Sequence, residues 1–392
     1  MRTDAVKQPW SKTKTGFLIL SLVTAVLAIF SAVLMTEPGQ SLNLPKAWIF
    51  AYHANKWLGI AVLLALLGSM WVMNHRHGFV RTRWMVLASG GVFVCIVAAN
   101  FLLVALFPTY QYDANYVSVA EADEGLDDDE IVYVIDLNDE VRAYPQDHMW
   151  IPHIAGAEFG GEKVVMTFCA LSNLPVVIGQ DIGTGEETDI GVLIQVHNNL
   201  VMVERKSGEL IQQITAETQF SGQQLKTYPN DMMTWGSFKQ LYPDAEVFSY
   251  HFNRPLDAFL TAVFQVPIEK QFSEDHGAIF PTLDLKDTRL PNKEQVWGLK
   301  LGDEQAAFSR SFVEKNPVYE FEFAGQPMVL VHDQEHDIVA LFDRTLNGKV
   351  VSVSEIDRRG NTPEGTLEQI PLHNGVFWMI WAHWFPETEV YS

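Results

Sequence analysis

The side chains in this chain most able to do chemistry are His148, His153, Cys169 and His197. Gathered around one pocket, they suit two chemistries. A thiolate with one or more imidazoles is a soft N/S donor set for copper or zinc, and a bound metal keeps an exported thiol deprotonated. Alternatively, Cys169 is a nucleophile activated by His153 or His197. It directly follows the apolar run 164–168, which reads as a buried strand. A third reading needs no chemistry, because a lone cysteine at a strand end often serves as a small buried apolar residue. No C-x-x-C, H-E-x-x-H, G-x-S-x-G or phosphate-binding loop selects among the three. The run His332-Asp333-Gln334-Glu335-His336-Asp337 sets two histidines four apart, a metal-binding spacing on a helix. Its flanks, VLV and IVALF, read as strands and predict a hairpin turn instead.

The elements that must position these groups fall into two regions. Residues 16–35, 58–73 and 85–107 are apolar runs without an acidic, basic or histidine side chain. Each is about long enough to cross roughly 30 Å of hydrocarbon as a helix. Trp57, Trp71 and Trp84 stand at their ends, where the membrane interface favours tryptophan. Residues 1–109 therefore predict a three-helix transmembrane anchor. Arg2, Lys7, Lys12 and Lys14 in the N-terminal tail, and Arg76, Arg81 and Arg83 in the second loop, outnumber Lys46 and Lys56 in the first loop. By the positive-inside rule the N-terminus is cytoplasmic. The expected location is the cytoplasmic (inner) membrane, with the C-terminal domain periplasmic or extracellular. The 44–57 segment is expected along the outer interface as a short amphipathic helix, and His53, His75 and His77 in loops. Runs without ionisable residues suit an anchor, or a bundle that docks a membrane-protein partner, better than a transporter.

The chain carries a net charge of −21, yet residues 1–109 hold nine bases and only two acids. The remainder is therefore strongly acidic, which sets nucleic-acid binding aside. Cys95 lies in the third apolar run and Cys169 in the acidic part, so the two are not expected to form a disulfide.

The acidic part repeats itself. Residues 132–179 pair with 296–343 at a constant offset of 164, with nine of 48 positions identical. WGSFKQLYPDAEVFS at 235–249 pairs with WMIWAHWFPETEVYS at 378–392 at an offset of 143. The first half is thus 21 residues longer, the excess falling between about 180 and 234. Within the repeat Cys169 aligns with Asp333, His153 with Pro317, Trp150 with Glu314 and His148 with Phe312, which places the reactive set in the first half alone. Asn138-Asp139 and Gly302-Asp303 sit between strand-like runs as hairpin turns. A further hairpin is expected from 193–196 and 200–203. Residues 234–242 predict a short helix stopped by Pro243 and followed by a strand at 246–250, with 372–385 as the helical counterpart. The cluster Phe377, Trp378, Trp381, Trp384 and Phe385 reads as packing.

The fold class that follows is α+β: the transmembrane region, then a mostly antiparallel β-rich soluble domain made of two tandem pseudo-repeats. The expected boundaries are an acidic linker at 110–130, a first lobe at 131–250, an inter-lobe connection at 251–295 and a second lobe at 296–392.

DTRLPNKEQVWGL at 287–299, VRAYP at 141–145, Pro152-His153, FCALS at 168–172 and NLVMVERKSGEL at 199–210 together resemble a bacterial family, domain of unknown function 3179. The terminal FW-x-x-W and P-x-T-E-V-Y also match, so the likeness runs over about 130–392. Many members of that family have Cys-Pro-Leu-Cys where this chain has Cys169-Ala170-Leu171-Ser172, and Trp where Ile211 stands. The resemblance implies an architecture and leaves the activity open. The function expected is a membrane-anchored extracytoplasmic protein that binds a ligand or metal through Cys169, His153, His197 and His148. The alternatives are a Cys-dependent enzyme with Cys169 and His153 catalytic, and a non-catalytic assembly or scaffold protein.

Overall fold

Asn138 and Asp139 both adopt positive φ (53° and 62°), the backbone that a tight two-residue hairpin needs. They join β2 (Ile131–Leu137) to β3 (Glu140–Pro145), the pair on which the first half is built. The computed structural model describes residues 107–392 apart from 183–184, 274–276, 281 and 354 and the side chains of 263 and 264, together with single positions between 15 and 94.

The first half opens with β1 (Tyr116–Ser118) and α1 (Val119–Ala122), ahead of β2 and β3. It continues through α2 (Gln146–Met149), β4 (Ile154–Phe159), β5 (Glu162–Cys169), β6 (Leu174–Gly179), β7 (Ile190–Val196) and β8 (Asn199–Glu204). It closes with β9 (Leu210–Gln212), β10 (Glu217–Thr218), β11 (Thr227–Tyr228), β12 (Asp231–Thr234), α3 (Trp235–Leu241) and β13 (Glu246–Phe248). The 18-residue helix α4 (Pro255–Phe272) follows. The second half begins with β14 (Gln295–Leu301), β15 (Glu304–Phe308), α5 (Arg310–Lys315), β16 (Val318–Phe323), β17 (Gln326–Asp333) and β18 (Ile338–Asp343). Two small hairpins come next, β19 (Thr345–Leu346) with β20 (Lys349–Val350) and β21 (Asn361–Thr362) with β22 (Gly365–Thr366). The chain ends with β23 (Glu368–Ile370), β24 (His373–Phe377), α6 (Trp378–Trp384) and β25 (Glu389–Tyr391).

The sheets are mostly antiparallel, and the two halves repeat one strand order. In the first, β12-β2-β3-β13 runs antiparallel, antiparallel, parallel, and in the second β24-β14-β15-β25 does the same. Likewise β11-β6-β5-β4 matches β23-β18-β17-β16. The extra length of the first half is a four-stranded antiparallel sheet, β10-β9-β8-β7, where the second half has only its two small hairpins.

Contacts between the halves are reciprocal: β12 packs beside β18, and β24, its counterpart, beside β6. Their cores are shared. One apolar cluster joins Ile154, Cys169 and Ile178 to Val376, Trp378 and Trp381, and another joins Val132, Trp235 and Phe238 to Ile338. Residues 107–392 therefore form one unit, Phe107–Ser392, rather than two separable lobes.

Two expectations are corrected, and the inter-lobe connection gains an element. The acidic stretch 110–130 is not a linker. Tyr110 bridges Ala155, buried Gln111 accepts a bond from Ile190 N at 2.7 Å, and β1 pairs with β13, so its apolar residues are built into the sheet while its carboxylates face out. The connection 251–295 contains α4. In 372–385 only Trp378–Trp384 is helical, because His373–Phe377 is drawn into the sheet beside β14 and Gly375 has a φ of 74°.

In the N-terminal unit the described positions, among them Leu18, Leu22, Val26, Leu64, Leu67, Trp71, His75, Leu87 and Val94, are helical. His75 stacks on Trp71 at 5.6 Å, one turn away on a helix, and so is not in a loop. The rest of the runs at 16–35, 58–73 and 85–107, the 44–57 segment, His53, His77 and Cys95 lie outside the described residues. Among the described residues no helix is long and apolar enough to cross a membrane.

Candidate functional site

Cys169 ends β5 and is fully buried. Its Sγ lies 3.8 Å from the Asn198 carbonyl oxygen, a contact made by a thiol whose proton points to the acceptor. It faces Leu174 across the strand pair and belongs to an apolar cluster that includes Ile154, Val165 and Val176. This is the environment of a packing cysteine, not that of an electropositive, accessible nucleophile.

His153 and His148 are held elsewhere. Phe168 N donates to the His153 carbonyl at 2.8 Å, which sets His153 opposite Phe168, one residue before Cys169. The His153 ring, at a φ of 58°, stacks on Phe107 at 5.1 Å and places Nδ1 3.2 Å from the Met149 carbonyl. Burial pulls its pKa down to about 4. His148 directs Nδ1 to the Phe248 carbonyl at 3.2 Å and meets the edge of Phe252, and burial lowers its pKa too. Among the described residues no group of three or more His, Cys, Asp or Glu side chains is placed to hold a metal ion. The four-residue copper or zinc set is not gathered around one point.

His197 has a different neighbourhood. It occupies the turn between β7 and β8, where His197 and Asn198 take positive φ of 49° and 54°. Its ring lies 4.6 Å from that of His383, on α6, and 5.7 Å from Trp384. Trp384 Nε1 donates to the His197 carbonyl at 3.3 Å. The two imidazoles are fixed in opposite senses. His197 Nδ1 faces the Thr282 carbonyl at 2.9 Å and must donate, whereas His383 Nδ1 accepts the Asp284 N–H at 2.9 Å. In the neutral rings, Nε2 is therefore an acceptor on His197 and a donor on His383.

The base of this arrangement is a buried amide network. Asn199 donates to Ser172 Oγ (3.2 Å) and Gln213 Oε1 (3.1 Å) and accepts from Gln212 Nε2 (2.7 Å) and Ile214 N (3.0 Å). Gln213 in turn donates to Thr167 Oγ1 and the Leu174 carbonyl, both at 3.1 Å. A network with these groups satisfied rigidifies the turn that carries His197.

Helix α6 is set by the RLPNKE run. Its first N–H groups have no side-chain cap and donate to backbone: Phe377 N to Ser172 O (3.1 Å), Trp378 N to Glu294 O (2.8 Å) and Met379 N to Asn292 O (3.0 Å). Arg289 grips the far end, donating to the Thr388 and Pro386 carbonyls at 2.7 and 3.0 Å while its guanidinium bonds Asp287. That bond holds the Asp287 carboxyl below its usual range. Lys293 donates to the Gln271 carbonyl and lies 5.3 Å from the Phe377 ring centroid, and burial lowers its ammonium pKa to about 8. The most distinctive motif of the sequence thus acts as a clamp on the helix that carries His383.

The 332–337 run is a hairpin turn between β17 and β18, as its flanks imply, and it occupies the place of Cys169–Asn173 in the first half. Its histidines are committed to carboxylates: His332 Nε2 to Asp337 at 2.9 Å, and His336 Nδ1 to Asp333 at 2.8 Å. Burial works against ionisation of both carboxyls, but these bonds outweigh it and hold them below the usual range. Nearby, Arg358 donates to Tyr242 OH at 2.8 Å and Arg359 pairs with Asp136 at 2.7 Å, so the 358–359 segment, beside Asp333 of this turn, ties the two halves together.

His383 and Trp384 were absent from the sequence-derived set because they sit in an aromatic run that reads as packing. The signal lay in the repeat: at an offset of 143 their counterparts are Gln240 and Leu241. Residues 108–388 match the family model described as Protein of unknown function (DUF3179). No curated protein and no solved structure matches the chain.

Proposed function

We propose, for a chain that belongs to the DUF3179 family, a role as a membrane-anchored extracytoplasmic binding protein that holds a small polar organic ligand at His197 and His383. The observation that carries this reading is the opposite hydrogen-bond sense of the two rings, 4.6 Å apart. A carboxylic acid, amide or vicinal diol carries a donor and an acceptor that complement these two senses. Trp384 supplies a flat apolar wall beside them. A metal requires an unprotonated nitrogen on each ligand, and only His197 is set up that way, with the Thr282 carbonyl as its outer partner. The seating of Cys169 in an apolar cluster favours binding over thiol catalysis. The anchor rests on the three uncharged apolar runs and on the distribution of Lys and Arg around them.

Native mass spectrometry of the full chain in mild detergent tests the site. A small organic molecule is expected on the purified protein, lost in His197→Ala and in His383→Ala and kept in Cys169→Ala. Stoichiometric zinc or copper that disappears in His197→Ala would replace this reading with the metal one. Protease added outside intact spheroplasts tests the orientation, with degradation of the acidic domain expected and its protection counting against an extracytoplasmic position.

A further inference from the structure

We propose that α4 lies flat in the interfacial layer of the lipid bilayer, with its outer face against the acyl chains. The inference rests on the membrane-anchor reading above. Four large apolar side chains are exposed in one stretch: Phe252 (49%), Leu256 (39%), Phe259 (55%) and Val266 (53%). At 100° per residue, Leu256, Phe259 and Val266 fall within about 80° of one another on the helix. Leu260, Ile268 and Gln271 are buried on the side that packs against the protein. The helix therefore shows apolar surface both inward and outward, and among the described residues the outward part is left exposed.

Three observations identify lipid as the occupant. The first is position. The third apolar run ends at Phe107, and Tyr110, three residues on, packs its ring against Tyr250 at 5.6 Å, which packs against Phe252 at 4.8 Å. Aromatic rings lead from the point where the chain leaves that run to the start of α4, as at a membrane interface. The second is charge. Residues 258–268 contain no ionisable side chain. Asp257 is buried and its carboxylate bonds Arg254 N at 2.9 Å, so it adds no exposed charge. In a domain otherwise dense in carboxylates, this stretch approaches acyl chains without burying a charge, and the exposed Lys270 beyond its end, on the same side of the helix, reaches the headgroups. The third is length and composition. The helix is about 27 Å long but is not apolar enough to cross a membrane, so it meets the bilayer along its surface rather than through it.

The test uses the full chain in phosphatidylcholine nanodiscs that contain an acyl-chain nitroxide lipid. A bimane label goes on Phe259→Cys or Val266→Cys in a Cys95→Ala background, Cys169 being fully buried. Val350→Cys, on an exposed hairpin of the second half, is the reference. Quenching at least threefold stronger at 259 and 266 than at 350 is expected, and equal quenching at all three overturns the proposal. Disulfide crosslinking of two copies through residue 259 without lipid quenching gives the face to a second copy and also overturns it. Alkaline carbonate extraction separates the two ideas. A chain retained in the membrane but unquenched at 259 keeps the anchor and loses the docking face. A chain released by carbonate but quenched at 259 by added vesicles loses the anchor and keeps the face.

Discussion

His153 and Asp231 carry opposite pH signatures. The His153 pKa falls from an ordinary 6.5 to about 4 because burial disfavours the imidazolium. Its neutral form contributes stability fully above about pH 6.5, and that contribution drains away as pH falls toward 4. The His153→Asn variant suits the positive φ and removes the titration. Its melting temperature is expected below that of the wild type at pH 8, with the gap narrowing or reversing at pH 4.5, since the shift corresponds to about 3 kcal/mol at most. Thermal melts across that range check it. Asp231 is buried and its pKa is raised to about 6, chiefly by desolvation and in spite of a bond from Gln369. A raised carboxyl pKa means that its contribution is intact below about pH 3.8 and lost as pH climbs through 6. The repeat supplies the remedy, because the counterpart of Asp231 in the second half is Asn374. Asp231→Asn is expected to raise stability by up to about 3 kcal/mol at pH 8 and to have little effect near pH 4. A variant that is neutral at pH 8 would refute the assignment.

At the scale of elements, α6 and β14 determine where His383 sits. Arg289→Ala removes the grip on the Thr388 and Pro386 carbonyls, and a loss on the order of 1–3 kcal/mol is expected. Amide exchange in the last turn of α6 should quicken while α3, which lacks this clamp, stays as it is. A similar dependence joins Gly298 to Trp381. A Cβ on Gly298 would overlap the Trp381 ring. In the first half the equivalent positions hold Val134 and Phe238, both in one apolar cluster. The second half has exchanged a medium side chain and a phenyl for no side chain and an indole. Gly298→Ala is expected to cost about 1–3 kcal/mol by overpacking, and Gly298→Val with Trp381→Phe should recover part of the loss. Denaturant titration of the two single variants and the double would measure that coupling.

At the scale of the molecule, the two halves complete each other. Ile338 of the second half fills a first-half cluster, and Asn173 of the first donates to the Gly375 carbonyl of the second at 2.8 Å. Residues 107–392 are expected to melt in a single transition, and a fragment ending at residue 250 to show no cooperative melt. Calorimetry of both would decide it, and a cooperative fragment would show that the first half is independent.

Much of the fold was legible because it is written in local signals. The Asn138-Asp139 turn, the helix stopped before Pro243 and the hairpin at 332–337 each follow from the residues on the spot. The match to the family over residues 108–388 bears out the resemblance carried by the motif strings. The 164-residue offset also placed β5 opposite β17 and β6 opposite β18, since equal spacing of like residues forces equal strand lengths. What the sequence could not decide was which reactive side chains meet. Cys169 and His153 are close along the chain, but their sulfur and imidazole have separate neighbours, because one backs an apolar sheet face and the other closes on Met149 and Phe107. His197 and His383 lie far apart in the chain, and their rings meet because the β7–β8 turn carries one, helix α6 carries the other, and both hydrogen-bond the 282–284 segment. Even the protonation sense of those rings is set by the Thr282 carbonyl and the Asp284 amide, partners that only tertiary folding supplies.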